Sequence, residues 1–517
     1  MRIHPSQQHD SNNAIAGLCV LWTGVLCAGL ILYGLTVQQG ISWQDSGLLQ
    51  WRILTGDYIG SLGLALAHPL YIAIGRLFLL IPFGSDFMLL NFCSSAGMAV
   101  TLANVSVLGF LLTGRRWIGL MTASMLAVMY TPWWLSTIAE VYTWNTAFFT
   151  AELIFFIVCV RKPSLGSLVG LFLCSGLNLS VHNMALLSLP VYGTWALFLV
   201  CRRRLSPACI ALAGLAYVCG AAPLVWLVVQ EILQTGSLQA SVESMLVGRY
   251  AANVLNVSST GPLMAVNAAL SSLNFLHPGL ILGVLGWAAM VKRIGKPLGW
   301  SLLILLGLQG LFFVRYSVPD QFTFIVPTLV LFSLGMAVGM DVLACRSAAM
   351  KKTVVTACLF SMALMPLTYA VLPPILEVLN LNVKRERVLP FRDEMRYWIV
   401  PWKHTEKSAE QFARTALLEA APDGLIVCDS TSYYPLILMK ERMPGVEGVS
   451  IEGYTTVASR YGAVPDELVQ LLSARQVFLV SPVLNFIAEE HRQFFEFARE
   501  DGMILYTITK KSLGSLE

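Results

Sequence analysis

"PLYIAIGRLFLLIP", Pro69 to Pro82, is an apolar run of fourteen residues, and whether it crosses a bilayer decides the topology of everything after it. A crossing helix needs roughly 20 residues at ~1.5 Å each. The chain around it is oily: of 517 residues, 56% are hydrophobic and 12% charged, and the mean hydropathy is +0.68. That is too apolar for one soluble core or for a string of soluble domains, so a polytopic membrane protein is expected. Apolar runs at about 14–37, 87–113, 117–135, 141–160, 164–181, 184–201, 206–230, 277–291, 298–314, 321–344 and 353–374 predict eleven spans. The first exceeds the apolar core of a secretory signal and no small-residue cleavage site follows, so it reads as a retained anchor.

Charge places the fourteen-residue run. With the N-terminus inside, the inner turns carry Arg115-Arg116, Arg161-Lys162, Arg202-Arg203-Arg204, Lys292-Arg293-Lys296 and Arg346-Lys351-Lys352, thirteen basic residues in all. The other side of the membrane part carries Arg52, Arg76, Arg249 and Arg315. This is the positive-inside asymmetry, and it survives only if Pro69–Pro82 does not cross. The run therefore belongs in or near the outer interface. Asp45, Asp57, Asp86, Glu140, Glu231, Glu243 and Asp320 then all fall outside, which concentrates polar chemistry there. The first outer loop, 38–86, has room for one or two surface-lying helices, anchored by Trp43 and Trp51 at headgroup depth.

After Pro373-Pro374 the composition changes. Residues 380–517 hold 16 Lys+Arg and 19 Asp+Glu, which reads as a water-soluble domain outside the membrane. Strand-like patterns at Gly424–Cys428, Gln476–Val480 and Met503–Ile508 alternate with helical ones at Ser408–Ala421, Pro465–Ser473 and Leu484–Asp501, predicting a small α/β layer. The expected organisation is thus an all-α membrane bundle over 1–375 and an extracytoplasmic α/β domain over 376–517. Ten of the eleven cysteines lie in apolar runs or at their edges, so no disulfide framework is indicated. No glycine-rich dinucleotide or phosphate loop occurs, and nothing points to nucleic acid.

Several residues could carry chemistry, each with a plain structural alternative. Asp45 is a candidate general base, or it and Ser46 cap a helix starting near Gly47. His68 precedes Pro69, a residue suited to starting a helix, and His182 lies at the outer end of the fifth span; both could be simple structural hydrogen-bonders. Glu140 could complement a helix dipole and Asp320 could cap the tenth span. Arg249 and Arg315 are the cations best placed for a phosphate, with snorkelling the competing explanation. Glu152 lies within a span and should face the bundle interior. The outer loops hold carboxylates enough for one Mg²⁺ or Mn²⁺ but no tight cluster.

Trp43-x-Asp45-Ser46-Gly47, then His68-Pro69 with Tyr71, then Ala139-Glu140-Val141-Tyr142, then Gly176-Leu177-x-Leu179-x-x-His182, then Asp320 with Phe324 and Pro327, together resemble the protein O-mannosyltransferase-like membrane glycosyltransferases of the GT-C fold. The likeness spans about residues 14–375. Two departures touch the substrate loop: Leu48 stands where that family has an acidic residue, and Leu70 where it has a second proline. The resemblance implies transfer of a sugar, mannose in that family, from a polyprenyl-phosphate carrier to a hydroxyl of a protein or envelope glycan at the outer face, with inversion and without a divalent metal. It implies Asp45 as catalytic base and His68, Glu140, His182 and Asp320 as substrate-binding residues, in a bacterial inner membrane; Arg249 and Arg315 are added as substrate-binding residues from chemistry and topology. A transporter or flippase for lipid-linked sugars is the alternative, disfavoured because the polar groups gather at one face and neither paired halves nor helices broken near the bilayer midplane are visible.

Overall fold

The computed structural model describes residues 5–248, 261–316, 318, 320–381, 389–454, 457, 465–482, 492 and 494–511. Helix α1 (Pro5–Thr36) leads through a buried turn to α2 (Gln44–Thr55) and α3 (Pro69–Phe78). There follow α4 (Asp86–Thr113), α5 (Arg116–Ala127), α6 (Tyr130–Ser136), α7 (Tyr142–Arg161), α8 (Leu165–Val181), α9 (Leu189–Cys201), α10 (Pro207–Thr235) and the short α11 (Leu238–Leu246). The bundle ends with α12 (Gly261–Ser272), α13 (Gly279–Ile294), α14 (Lys296–Arg315), α15 (Val326–Ala344) and α16 (Ala348–Val378).

Each of the eleven apolar runs is helical, but not all are whole spans. Eight helices among the described residues are long and apolar enough to cross a bilayer, and two bent pairs bring the number to ten. One pair is α5 with α6, bent by 71°; the other is Met264–Phe275 with α13, bent by 85°. The eleventh run is α8, an apolar helix of 17 residues and short for a span. The second break falls at Pro278, which has no N–H to give to a helix. The two breaks fasten to each other: Asn274 accepts from Thr131 N–H at 2.8 Å and donates to Thr131 Oγ1 at 2.9 Å, satisfying a donor that the broken helix leaves open. The run from Pro69 to Pro82 is helical only to Phe78 and falls short of a span.

The bundle has two chemically different ends. At one, the basic turns meet: Asp341 lies 3.0 Å from Arg115 Nε and 4.0 Å from Arg293 Nη2, and the Arg116 guanidinium lies across Gly17. At the other end of α1, Thr36 O accepts from Lys403 N–H at 2.8 Å, tying down the C-terminal region. Gly17 and Thr36 are 19 residues apart on one helix, roughly 28 Å and close to the hydrocarbon thickness of a bilayer. The acidic and aromatic chemistry and the C-terminal region thus share the end opposite the basic turns.

A buried amide network sets the chain direction at that end. Gln38 N–H donates to Thr137 O at 2.9 Å, Asn91 Nδ2 to Gln38 O at 2.9 Å, and Gln50 Nε2 to Asn91 Oδ1 at 3.0 Å, while Gln50 Oε1 accepts from Ser42 N–H at 2.9 Å. All these amides are buried, so each pairing avoids the cost of a desolvated, unmatched polar group. α1, α4 and α6 thereby fix where α2 begins.

The C-terminal region contains α17 (Glu394–Ile399), α18 (Ser408–Ala420), α19 (Ser430–Lys440) and α20 (Pro465–Ala474) around a five-stranded mixed sheet. Its strands are β1 (Leu425–Cys428), β2 (Ser450–Gly453), β3 (Val477–Leu479), β4 (Phe495–Ala498) and β5 (Tyr506–Lys510), in the order β2-β1-β3-β5-β4. β1 pairs in parallel with β2 and β3, and β5 runs antiparallel to β3 and β4. One expectation is corrected here. Leu484–Asp501 is not one helix, because Phe495–Ala498 is a strand whose Phe495 is buried and Glu496 exposed, the alternation of period two; residues 483–491 lie outside the described ones.

Trp43 is also corrected. It is 1% exposed rather than at headgroup depth: its ring packs 5.2 Å from Phe412 and its Nε1–H donates to Ser408 Oγ at 2.8 Å. It joins α2 to α18. Trp43→Ala is therefore expected to cost about 3–5 kcal/mol and to release the C-terminal region first. Limited proteolysis in detergent should cut residues 389–454 in the variant under conditions that leave the wild type whole; identical digestion would contradict this docking role.

Candidate active site

A cavity of about 670 Å³ opens between the bundle and the C-terminal region. α2 forms its floor. The helix starts at Gln44, after Trp43, so Asp45 sits in its first turn, and no side chain caps its start. The capping reading of Asp45 and Ser46 is thereby excluded: Ser46 Oγ instead donates to Glu140 Oε1 at 3.1 Å. Asp320 likewise makes no side-chain cap with the helical turn Gln321–Ile325 that follows it.

Asp45, Glu140 and Asp320 come from three distant parts of the chain and all line this cavity. Glu140 is held by its backbone, since Ser94 Oγ on α4 accepts from Glu140 N–H at 2.8 Å and donates to Glu140 O at 3.1 Å. Asp45 opens onto the cavity yet lies deep among protein atoms, and burial pushes its carboxyl above the usual range. Burial and the facing Asp45 push Asp320 up to about 7. Glu140 is raised well above its ordinary value by burial first, then by Asp45 and Asp320. Among the described residues no three His, Cys, Asp or Glu side chains stand close enough to hold a metal ion.

His68 and His182 meet as a stacked pair, ring centroids 5.2 Å apart and planes 19° from parallel. His68 has φ +50°, an unfavourable conformation for a residue other than glycine and one found at functional positions. His68 Nδ1 lies 2.7 Å from Val181 O and must donate to it, which leaves Nε2 as the acceptor of a neutral ring. His182 Nδ1 accepts from Met184 N–H at 3.1 Å, which puts its proton on Nε2. Burial lowers His182 to about 4, and burial, His182 and Arg52 together lower His68. The pair is neutral at physiological pH and acts by hydrogen bonding. His68 lines the cavity; His182 lies behind it, against Tyr142 at 5.4 Å.

Among the described residues that line the cavity the cation is Arg52, which the sequence did not assign to the site. It is 2% exposed; Nε donates to Asp57 O at 3.1 Å, Nη1 to Leu66 O at 2.8 Å and Nη2 to Ala67 O at 2.6 Å, so three of its five N–H donors face carbonyls. A signal for it existed: Asp45 and Arg52 are seven residues apart on one helix, hence on one face. Arg315, half-buried at the end of α14, does not line the cavity, although its neighbour Tyr316 does. Arg249 lies outside the described residues. Glu152 is fully buried in α7, where Asn178 Nδ2 donates to its Oε1 at 2.7 Å, and it is not part of the cavity wall.

No protein-family model and no curated protein sequence matches the chain. Solved structures do. The structure of ArnT from Cupriavidus metallidurans bound to undecaprenyl phosphate superposes with a TM-score of 0.58 at 12% identity, covering 95% of this chain and 98% of that one. The same protein in the apo state gives 0.54 at 16% identity, covering 96% and 98%. The oligosaccharyltransferase of Archaeoglobus fulgidus tethered to an acceptor peptide gives 0.51 at 11% identity, covering 96% of this chain and 74% of that one. At these identities the likeness speaks for the fold, and the fold is GT-C-like: a helical membrane bundle followed by a small mixed α/β region.

Proposed function

We propose that the chain is an integral-membrane glycosyltransferase that moves a sugar from a polyprenyl-phosphate carrier to an acceptor hydroxyl at the non-cytoplasmic face, with inversion. The observation that carries this reading is the convergence of Asp45, Glu140 and Asp320 with Arg52 in one cavity at the end of the bundle opposite the basic turns. The fold shared with ArnT, solved with undecaprenyl phosphate, supports the choice of donor.

Asp45 acts as general base. A hydroxyl is a weak nucleophile until a carboxylate within hydrogen-bond reach takes its proton. As the acceptor oxygen bonds to C1 of the sugar, the bond from C1 to the phosphate oxygen breaks and its electron pair stays on the polyprenyl phosphate, which leaves. Attack from the face opposite the leaving group inverts C1. Arg52 offsets the negative charge building on the phosphate, an effect strengthened by low dielectric. The neutral His68–His182 pair offers hydrogen bonds without a second positive charge. Glu140, anchored through Ser46 and Ser94, and Asp320 orient the reacting groups, while burial keeps the proton affinity of Asp45 high. Mannose as the transferred sugar, and Arg249 and Arg315 as helpers at the phosphate, are the finer parts of this reading.

Purified protein given polyprenyl-phosphate donors carrying radiolabelled mannose or glucose, with a cell-envelope extract as acceptor source, tests the base. Asp45→Asn should lower transfer by about 10²-fold or more, the range expected for loss of a general base, while donor binding survives. Wild-type rate should rise with pH as Asp45 ionises, with its midpoint above the ordinary aspartate value of ~3.9. Equal transfer by both proteins removes Asp45 from the role. For orientation, alkaline phosphatase fused after Leu381 should be active and fused after Arg204 inactive; the reverse pattern would place the cavity on the cytoplasmic side.

A further inference from the structure

We infer that the first turns of α19 form the acceptor subsite of this cavity, and that the acceptor they hold is a saccharide hydroxyl rather than a serine or threonine of a polypeptide. The inference rests on the transferase reading above and goes on to name the acceptor's chemical class.

Position comes first. α19 belongs to the C-terminal region but is seated along α2, where it packs on Gly47. A Cβ at residue 47 would lie 2.5 Å from Ser42 O, 3.3 Å from Tyr434 Cβ and 3.5 Å from Pro435 Cδ. The tightest of these contacts is local, with the turn before α2, and the other two show that α19 lies alongside the motif, two residues from the base. Ser430, Thr431, Tyr433 and Tyr434 consequently line the same cavity as Asp45. Asp45, Asp57 and Arg52 all act electrostatically on the Tyr434 phenol.

Chemistry comes second. The bundle side supplies the charges; the α19 side supplies hydroxyls and rings. Trp51 and Tyr434 lie 6.0 Å apart at 48°, and Tyr433 meets Tyr434 edge-on at 5.1 Å. A pyranose ring presents apolar C–H faces and a rim of hydroxyls, so it matches a wall of aromatic faces beside Ser and Thr hydroxyls. The other aromatic wall is already engaged: Arg392 and Lys403 sit 4.4 Å and 4.5 Å from the Tyr397 ring centre, and Trp398 stacks on Trp134 at 5.8 Å and 11°. That wall is rigid backing, and the α19 wall is the one suited to a ligand.

Shape comes third. An extended peptide is commonly held through its backbone by a strand edge, and none of β1 to β5 contributes a residue to this cavity. At about 670 Å³ the space falls within the ~300–1,000 Å³ of sites that enclose small molecules.

The test uses the full-length protein in detergent, the labelled donors above, three methyl glycosides (of mannose, glucose and N-acetylglucosamine) and a Ser/Thr-rich peptide. Label should appear on a methyl glycoside and not on the peptide. Tyr434→Ala should raise KM for that glycoside about tenfold while KM for the donor stays within about twofold, and Tyr434→Phe, which keeps the ring, should fall between. Label on the peptide, donor consumed with no glycoside labelled, or an unchanged glycoside KM in Tyr434→Ala would each overturn the inference and leave the transferase reading standing. A donor that the wild type neither transfers nor hydrolyses would overturn that reading, and this inference with it.

Discussion

Three carboxyl groups around one cavity repel one another, so the backbone that carries them has to be fixed by something other than their own interactions. The buried amides Gln38, Asn91 and Gln50 do this for α2, bonding the turn after α1 to α4 and α6 before Asp45 is reached. Ser94 does it for Glu140 by bonding both its N–H and its C=O. Every one of these polar groups is buried, where an unmatched partner is costly, so the arrangement has little freedom to relax. The consequence is electrostatic. Burial holds the Asp45 carboxyl above its usual range, and Asp45 in turn disfavours the ionisation of the facing Asp320.

Charge is divided in the site by the same logic. The histidines that the sequence singled out are too buried to carry a proton at physiological pH, and their ring nitrogens are fixed by Val181 and Met184 into complementary neutral forms. Positive charge is left to Arg52, a side chain whose guanidinium stays charged under burial and which three backbone carbonyls hold in place. Among the described residues, a phosphate in the cavity would meet the Arg52 guanidinium and the His68 ring, with His182 stacked behind it.

Much of this was legible in the sequence, and what was missed had physical causes. Hydropathy marked eleven apolar runs, all helical, of which eight to ten among the described residues are spans, because apolar length is a direct demand of the bilayer, and the basic turns sorted one end of the bundle from the other. The motif residues Asp45, His68, Glu140 and Asp320 meet at one cavity, as expected from their common side. Hydropathy could not distinguish a straight span from one broken at Pro278 or at Val128, since composition is the same on both sides of a bend. Trp43 was misplaced because an indole beside a membrane serves equally as a headgroup anchor or as a bolt to another domain, and only Phe412 and Ser408 decide between them. Arg52 was passed over because the helix was taken to begin near Gly47; starting it at Gln44 puts Asp45 and Arg52 on one face. The packing of α19 on Gly47 could not be read at all, since Tyr434 and Pro435 lie almost four hundred residues away.

The most direct test of the account is whether Asp45 and Asp320 sense each other's charge. Infrared difference spectroscopy of the purified protein follows the protonated carboxyl band through a pH titration, with Asp320→Asn identifying the contribution of that residue. In the wild type the Asp320 band should titrate near pH 7, and in Asp45→Asn its midpoint should fall to lower pH because one facing negative charge has been removed. A midpoint near the ordinary aspartate value in the wild type, or one that the Asp45 substitution leaves unmoved, would contradict the shared cavity on which the mechanism stands.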